Sequence, residues 1–157
     1  MADPRTVAYD DLESLAGREV GVSDWHTIDQ DRVNMFAEAT GDHQWIHVDV
    51  ERATKELGSP IAHGFLTLSL LPHLGSSIPR SDPEAYKGMA MGINYGLDKV
   101  RFPNPVLVGS RIRATVTLGE VTDIPAGKQA TVRYTVEIDG VDKPACVAES
   151  VVLLLTD

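Results

Sequence analysis

The sequence predicts an α+β fold, one domain spanning residues 1–157, in which an antiparallel sheet wraps around a long buried helix. Three observations carry this. Helical spacing is confined to the first half of the chain. After Lys87 apolar residues fall at every second position. Between these halves, the segment GFLTLSLLPHL that follows His63 is apolar on nearly every side. A helix apolar all round must be buried all round, and a curved sheet can supply the surrounding apolar surface.

The elements follow in order. Residues 20–26 read as an early strand. Thr27 then offers an N-cap, with Gln30 three residues on as in a capping box. Val33, Phe36, Ala37 and Thr40 follow at helical spacing, and Gly41 supplies the stop. A second helix over 50–57 has Asp49 as its cap. The apolar helix runs from about His63 to Leu74, and Pro72 kinks or ends it. In the second half, Ile112, Ala114, Val116 and Leu118 alternate with Arg111, Arg113, Thr115 and Thr117. Val132, Tyr134, Val136 and Ile138 alternate with Thr131, Arg133, Thr135 and Glu137. Residues 145–155 read as a further strand, and the turns IPAGK and DGVDK join these runs into hairpins.

Length and composition narrow the class. A chain of 157 residues, 43% hydrophobic and 24% charged, is long enough for one packed core. Its single cysteine, Cys146, rules out an intrachain disulfide and fits a reducing cytoplasm. The acidic N-terminal stretch has no apolar h-region, so no secretory leader is expected, and no apolar run is long enough to span a bilayer. The formal net charge of -9 argues against nucleic acid as a partner. The same charge would repel an anionic ligand unless a local basic patch offsets it. Lys99, Arg101, Arg111 and Arg113 are the candidates, although solvated strand faces are the commoner fate of such charges.

The densest polar cluster is GDHQWIHVD, residues 41–49, in a connection between two helices. Asp42 and His47 are five residues apart, so a turn could bring carboxylate and imidazole to one water molecule. Spacing alone favours a plainer assignment, Asp42 as a turn cap and His47 as a half-buried histidine with its partners satisfied. A second cluster is IAHGF, residues 61–65. Gly64 begins the apolar helix, where free N–H groups suit an oxygen gaining negative charge, although a glycine needed only for close packing explains the residue as well. A third segment, NYGLDKVRFPNPVLVGSRIR, gathers basic residues beside prolines and glycines.

Other chemistries lack their signatures. There is no G-x-S-x-G elbow, no phosphate loop and no G-x-G-x-x-G. His43 and His47 stand four apart, but Gly41 and the loop context argue against a helical zinc pair, and H-E-x-x-H is absent. No metal site is expected.

GDHQWIHVD, IAHGF and the 94–113 segment together resemble the MaoC-like dehydratases, which include the R-specific enoyl-CoA hydratases and the nodulation protein N group. The resemblance runs from about Asp24 to Leu155. It implies a hot-dog fold and a water-activating pair, Asp42 and His47, with the Gly64 N–H polarising a thioester carbonyl. Gln44 stands where that family usually has asparagine and Trp45 where it usually has proline. Gln44 and His63 then become supporting residues. Trp45, Asn94, Tyr95, Lys99 and Arg101 become candidates to line the acyl or coenzyme A site. The implied reaction is reversible syn hydration of a trans-2-enoyl-CoA to an (R)-3-hydroxyacyl-CoA. It needs no cofactor, since coenzyme A is part of the substrate. The implied assembly is a homodimer paired edge to edge.

Rival readings are thioester hydrolysis, which release of free coenzyme A thiol would reveal, and dehydration on an acyl carrier protein or a non-fatty-acyl substrate. A non-catalytic acyl-CoA-binding module is a further rival, and it would leave crotonyl-CoA unchanged.

Overall fold

A computed structural model describes residues 8–79 and 87–156. The acidic stretch 1–7 lies outside them. The period-two pattern of the second half forms long strands: β3 (Met89–Arg101), β4 (Arg111–Ile124), β5 (Gly127–Ile138) and β6 (Val141–Thr156). With the short β1 (Glu19–Val22) and β2 (His26–Thr27) they make one antiparallel sheet ordered β1-β4-β5-β6-β3, and β2 also pairs with β4. Both expected hairpins form, over residues 125–126 and 139–140. The second needs a left-handed residue, which Gly140 provides at φ +76°. On β4 the apolar set Ile112, Ala114, Val116 and Leu118 is buried, as the alternation predicts.

The early strand is broken. Ser23 interrupts it: its N–H donates to the Ala114 carbonyl, while its hydroxyl accepts from the Ala114 N–H. A side chain here replaces one backbone ladder partner, so regular pairing lapses and resumes at His26.

Helix α1 (Gln30–Thr40) starts later than the capping box implied. Asp29 is the cap, its Oδ1 accepting from the Arg32 N–H at 2.9 Å, whereas Thr27 is committed to β2 opposite Arg111. A charged acceptor on the first turn is the stronger cap. Gly41 ends the helix at φ +80°, as expected. Next come the short helix α2 (Trp45–Val48) and helix α3 (Val50–Leu57), with Asp49 capping α3 through Arg52 N–H at 3.0 Å. Helix α2 was not expected from the sequence, since it has a single turn and no periodicity to detect.

The apolar helix is two pieces, α4 (Gly64–Ser69) and α5 (Leu71–Ser76), meeting at Leu70. Pro72 sits in the first turn of α5, where its missing N–H costs least, so the break falls just upstream of it. The sheet wraps this pair: Leu66, Leu71 and Leu74 join the core with Ile112, Val136 and Ala148. Burial is nevertheless one-sided. Phe65 is 68% exposed, and Ser69, Pro72 and His73 face outward. Strand β3 also borders β6 alone, and its Met91, Ile93, Tyr95 and Leu97 are exposed.

A 3-10 turn over Tyr9–Leu15 closes one end. It buries Leu12 and Leu15 against Leu118 and Ala130. The Lys128 ammonium is buried beneath it and bonds Glu13 (2.9 Å) and Asp123 (2.8 Å). Those two carboxylates raise the Lys128 pKa above its ordinary value. Among the described residues no helix is long and apolar enough to cross a membrane.

Cys146 is fully buried in the core, and desolvation pushes its thiol pKa up to about 11. A buried protonated thiol is a poor nucleophile. A disulfide reagent at mildly alkaline pH should therefore leave the native protein unmodified and label one thiol per chain after denaturation. Rapid labelling of the native protein would contradict this packing.

Candidate active site

Gly41 turns the chain out of α1 and brings the Asp42 carboxylate within 4.8 Å of the ring nitrogens of His47 and His63. Asp42 holds a local turn, its Oδ1 accepting from the Gln44 N–H at 3.3 Å, and its carboxylate stays exposed. The single turn of α2 carries His47 inward until its side chain is buried. There Nδ1 lies 2.5 Å from the Ile61 carbonyl oxygen. A carbonyl only accepts, so Nδ1 carries the proton and Nε2 is left with a free lone pair. Ile61 is itself fixed, its N–H donating to the Ile46 carbonyl at 2.9 Å. The His47 carbonyl accepts from Gln30 Nε2 at 2.8 Å, which ties α2 to the first turn of α1.

His63 completes the group. Its Nε2–H donates to the Asp42 carbonyl at 2.9 Å, linking the Asp42 turn to the start of α4. Its ring stacks on His47 with centroids 3.8 Å apart and planes 22° from parallel. A carboxylate oxygen of Asp42 and one ring nitrogen from each histidine lie within 4.8 Å of one another. Such a triplet could in principle hold a metal ion. Imidazole lone pairs lie in the ring plane, however, and nearly parallel stacked rings cannot aim two of them at one tetrahedral centre without turning. The set suits a small hydrogen-bonded molecule better than an ion. The His43–His47 pair considered from spacing does not assemble: the exposed His43 pairs with Glu38 at 2.7 Å, and that bond raises its pKa.

A cavity of about 300 Å³ opens beside the histidines, lined by His47, Gly64, Thr67, Phe102, Val106 and Ala145 among others. The Gly64 N–H has no hydrogen-bond partner among the described residues. A Cβ on Gly64 would come within 3.1–3.3 Å of the Phe102 ring, so Phe102 closes over this glycine.

The remaining candidates divide. Gln44 contributes its backbone N–H to Asp42, and its side chain makes no hydrogen bond. Trp45 does not line the cavity at Gly64; its ring lies 4.0 Å beneath the Arg52 guanidinium. Asn94 and Tyr95 border a second cavity, of about 440 Å³, farther along α4. Lys99 and Arg101 are exposed on β3, away from both cavities. Arg111 and Arg113 are not a free basic patch: they pair with Asp139 and Glu137 and flank the Trp25 ring.

Residues 11–139 match the MaoC like domain. The chain belongs to the MaoC-like dehydratase family. It is 58% identical over 144 residues to 3-hydroxyacyl-thioester dehydratase Z of Mycobacterium tuberculosis H37Rv, covering 90% of this chain and 92% of that protein. It is 45% identical over 146 residues to nodulation protein N of Rhizobium meliloti, covering 90% of this chain and 88% of that one. Among solved structures, the (R)-hydratase of A. caviae involved in PHA biosynthesis superposes with a TM-score of 0.68 at 25% identity, covering 88% and 96% of the two chains. A hot-dog sheet around a central helix is therefore the architecture of this MaoC-like protein as well.

Sequence reasoning missed Gln30, Ile61 and Phe102. Gln30 and the Ile61 carbonyl act through hydrogen bonds to His47 across 17 and 14 residues, which no local pattern encodes. Phe102 stands in FPNP, whose prolines signal an irregular loop but not where its aromatic ring points.

Because the Phe102 ring is the close neighbour of Gly64, Gly64→Ala should lower Tm modestly. Adding Phe102→Ala should remove the penalty specific to Gly64→Ala, so that the two substitutions are less than additive in a thermal double-mutant cycle. Strict additivity would rule out the contact.

Proposed function

We propose that this MaoC-like protein is an R-specific hydro-lyase that adds water reversibly to a trans-2-enoyl-CoA. The observation that supports this most is the convergence of the Asp42 carboxylate and the His47 imidazole beside the Gly64 N–H. Two hydrogen bonds of about 2.8 Å each reach across at most about 5.6 Å, so groups within 4.8 Å can share one bent water bridge.

In this reading the free Nε2 of His47 takes a proton from that water as its oxygen attacks C3. The Gly64 N–H donates to the thioester oxygen as it gains enolate character. The proton taken from the water passes through the Asp42–His47 pair and is delivered to C2 from Asp42, so hydroxyl and proton both end on the substrate and the pair returns to its starting state. Both additions come from one face, so the addition is syn, and the likeness to R-hydratases supports an (R)-3-hydroxyacyl product. In the dehydration direction the roles reverse. Asp42 and His47 act as a coupled pair. His63 orients both partners and Gln44 positions Asp42 through its N–H. Lys99 and Arg101 face the phosphates of the carrier, and Asn94 and Tyr95 face the acyl chain. No resident cofactor enters. The lone buried thiol suits a reducing cytoplasm.

We also propose a homodimer. The free edge of β3 and its exposed Met91, Ile93, Tyr95 and Leu97 suit pairing with a second copy, which would cover an otherwise open ladder. Sedimentation velocity should give a dimer; a fully active monomer would exclude a required one.

The deciding assay is loss of the enoyl absorbance of crotonyl-CoA in the presence of enzyme. Asp42→Asn and His47→Gln should each lower kcat by about 10²- to 10⁴-fold with an unchanged circular dichroism spectrum. The double variant should be little slower than either single, because the pair acts as a unit. Near-native turnover in either single variant would remove that residue from the mechanism.

A further inference from the structure

The second cavity carries information beyond the reacting atoms. It starts at Leu68, about 6 Å down α4 from Gly64, and continues past the break at Leu70 to Leu71 and Pro72 in the first turn of α5. Leu68 and Leu71 form one wall and the sheet forms the other. Across that sheet wall, three adjacent strands each contribute a polar side chain: Tyr134 from β5, Ser150 from β6 and Asn94 from β3. The register puts them on a diagonal. Tyr134 is opposite Ala148, two residues before Ser150, and Asn94 is opposite Val152, two residues after it. Diagonal residues two apart share one face of a sheet. Tyr134 faces α5, since its hydroxyl is 3.6 Å from where a Gly75 Cβ would stand. None of the three side chains makes a hydrogen bond within the described chain.

We infer that this cavity selects an acyl chain bearing a hydroxyl or carbonyl group some carbons beyond the reacting double bond. The proposal rests on the hydratase reading and names the substrate class of that site. An alkyl chain laid here would cover three unpaired polar groups and strip their water without replacing it. A hydroxyl or oxo substituent would pair with them, because Tyr134 and Ser150 can donate or accept and Asn94 can do both at once. Burial raises the Tyr134 pKa, which keeps its hydroxyl protonated and able to donate.

The experiment compares trans-2-octenoyl-CoA with its ω-hydroxy counterpart, and crotonyl-CoA serves as the short reference. The kcat/KM ratio of hydroxylated to plain octenoyl substrate should exceed one by about threefold to tenfold, the value of one net hydrogen bond. In Tyr134→Phe combined with Ser150→Ala and Asn94→Ala the ratio should fall to one or below. Calorimetric binding of octanoyl-CoA and ω-hydroxyoctanoyl-CoA gives the same comparison without turnover. If crotonyl-CoA is not hydrated the reaction assignment fails, while the binding ratio still judges the cavity. A ratio at or below one in the native protein, a ratio the triple variant leaves intact, or no binding of either saturated thioester overturns the inference.

Discussion

The candidate active site depends on a single hydrogen bond, from His47 Nδ1–H to the carbonyl of Ile61. A neutral imidazole has one proton and one lone pair to place, and fixing the proton on Nδ1 determines where the lone pair goes. The Ile61 carbonyl can do this because its own residue is clamped: the Ile61 N–H bonds the Ile46 carbonyl, and the neighbouring Ala62 N–H bonds Val106. Stacking on His63 then limits rotation of the ring, and His63 in turn holds the Asp42 carbonyl. Segments 42–47, 61–64 and 106, distant along the chain, are thereby locked into one arrangement. In the proposed mechanism His47 moves a proton, and such a group has to be placed before the reaction, since reordering it in the transition state would raise the barrier.

The general frame was readable in the sequence because it depends on periodicity. The alternation on β4 and β5 marks an inner face that is buried, and the run after His63 marks the helix that the sheet covers. Caps were readable where a side chain serves its own helix, as with Asp49, or where a backbone conformation demands glycine, as with Gly41. Thr27 misled for a tertiary reason: its backbone is needed opposite Arg111, so the cap passes to Asp29. At the candidate site, the resemblance pointed to Asp42, His47 and Gly64, and the fold brings Asp42 and His47 together. Their supports were not readable, because Gln30, Ile61 and Phe102 act across 14 or more residues and depend on the finished fold.

The apolar helix yields a finer lesson. Its all-round apolar character implied burial on every side, yet Phe65 stands 68% exposed, 6.1 Å from the ring of Phe102. Strand β3 shows the same excess, with apolar side chains along an edge that lacks a neighbour. A sequence records every surface that is covered when the protein works, including those covered by another molecule. The mismatch between apolar pattern and burial in one chain therefore reports on assembly, and here both mismatches involve β3 or its end, since Phe65 meets the ring of Phe102 just after that strand.

Charge tells a similar story of position over total. A net charge of -9 would oppose a phosphate-bearing carrier at long range. Most of the basic residues near the sheet cannot offset it, because Arg111, Arg113 and Arg133 are matched with Asp139, Glu137 and Glu149, and Lys128 lies between Glu13 and Asp123. Lys99 and Arg101 differ: neither forms an ion pair among the described residues, and both project from the end of β3 that leads into the Phe102 loop. Charges are strongly screened beyond roughly 8 to 10 Å at physiological salt, so two local cations can outweigh a larger but distant negative total for a group that comes close to them. The strand that leaves its edge open to a partner thus also carries the unpaired positive charge next to the loop that closes over Gly64.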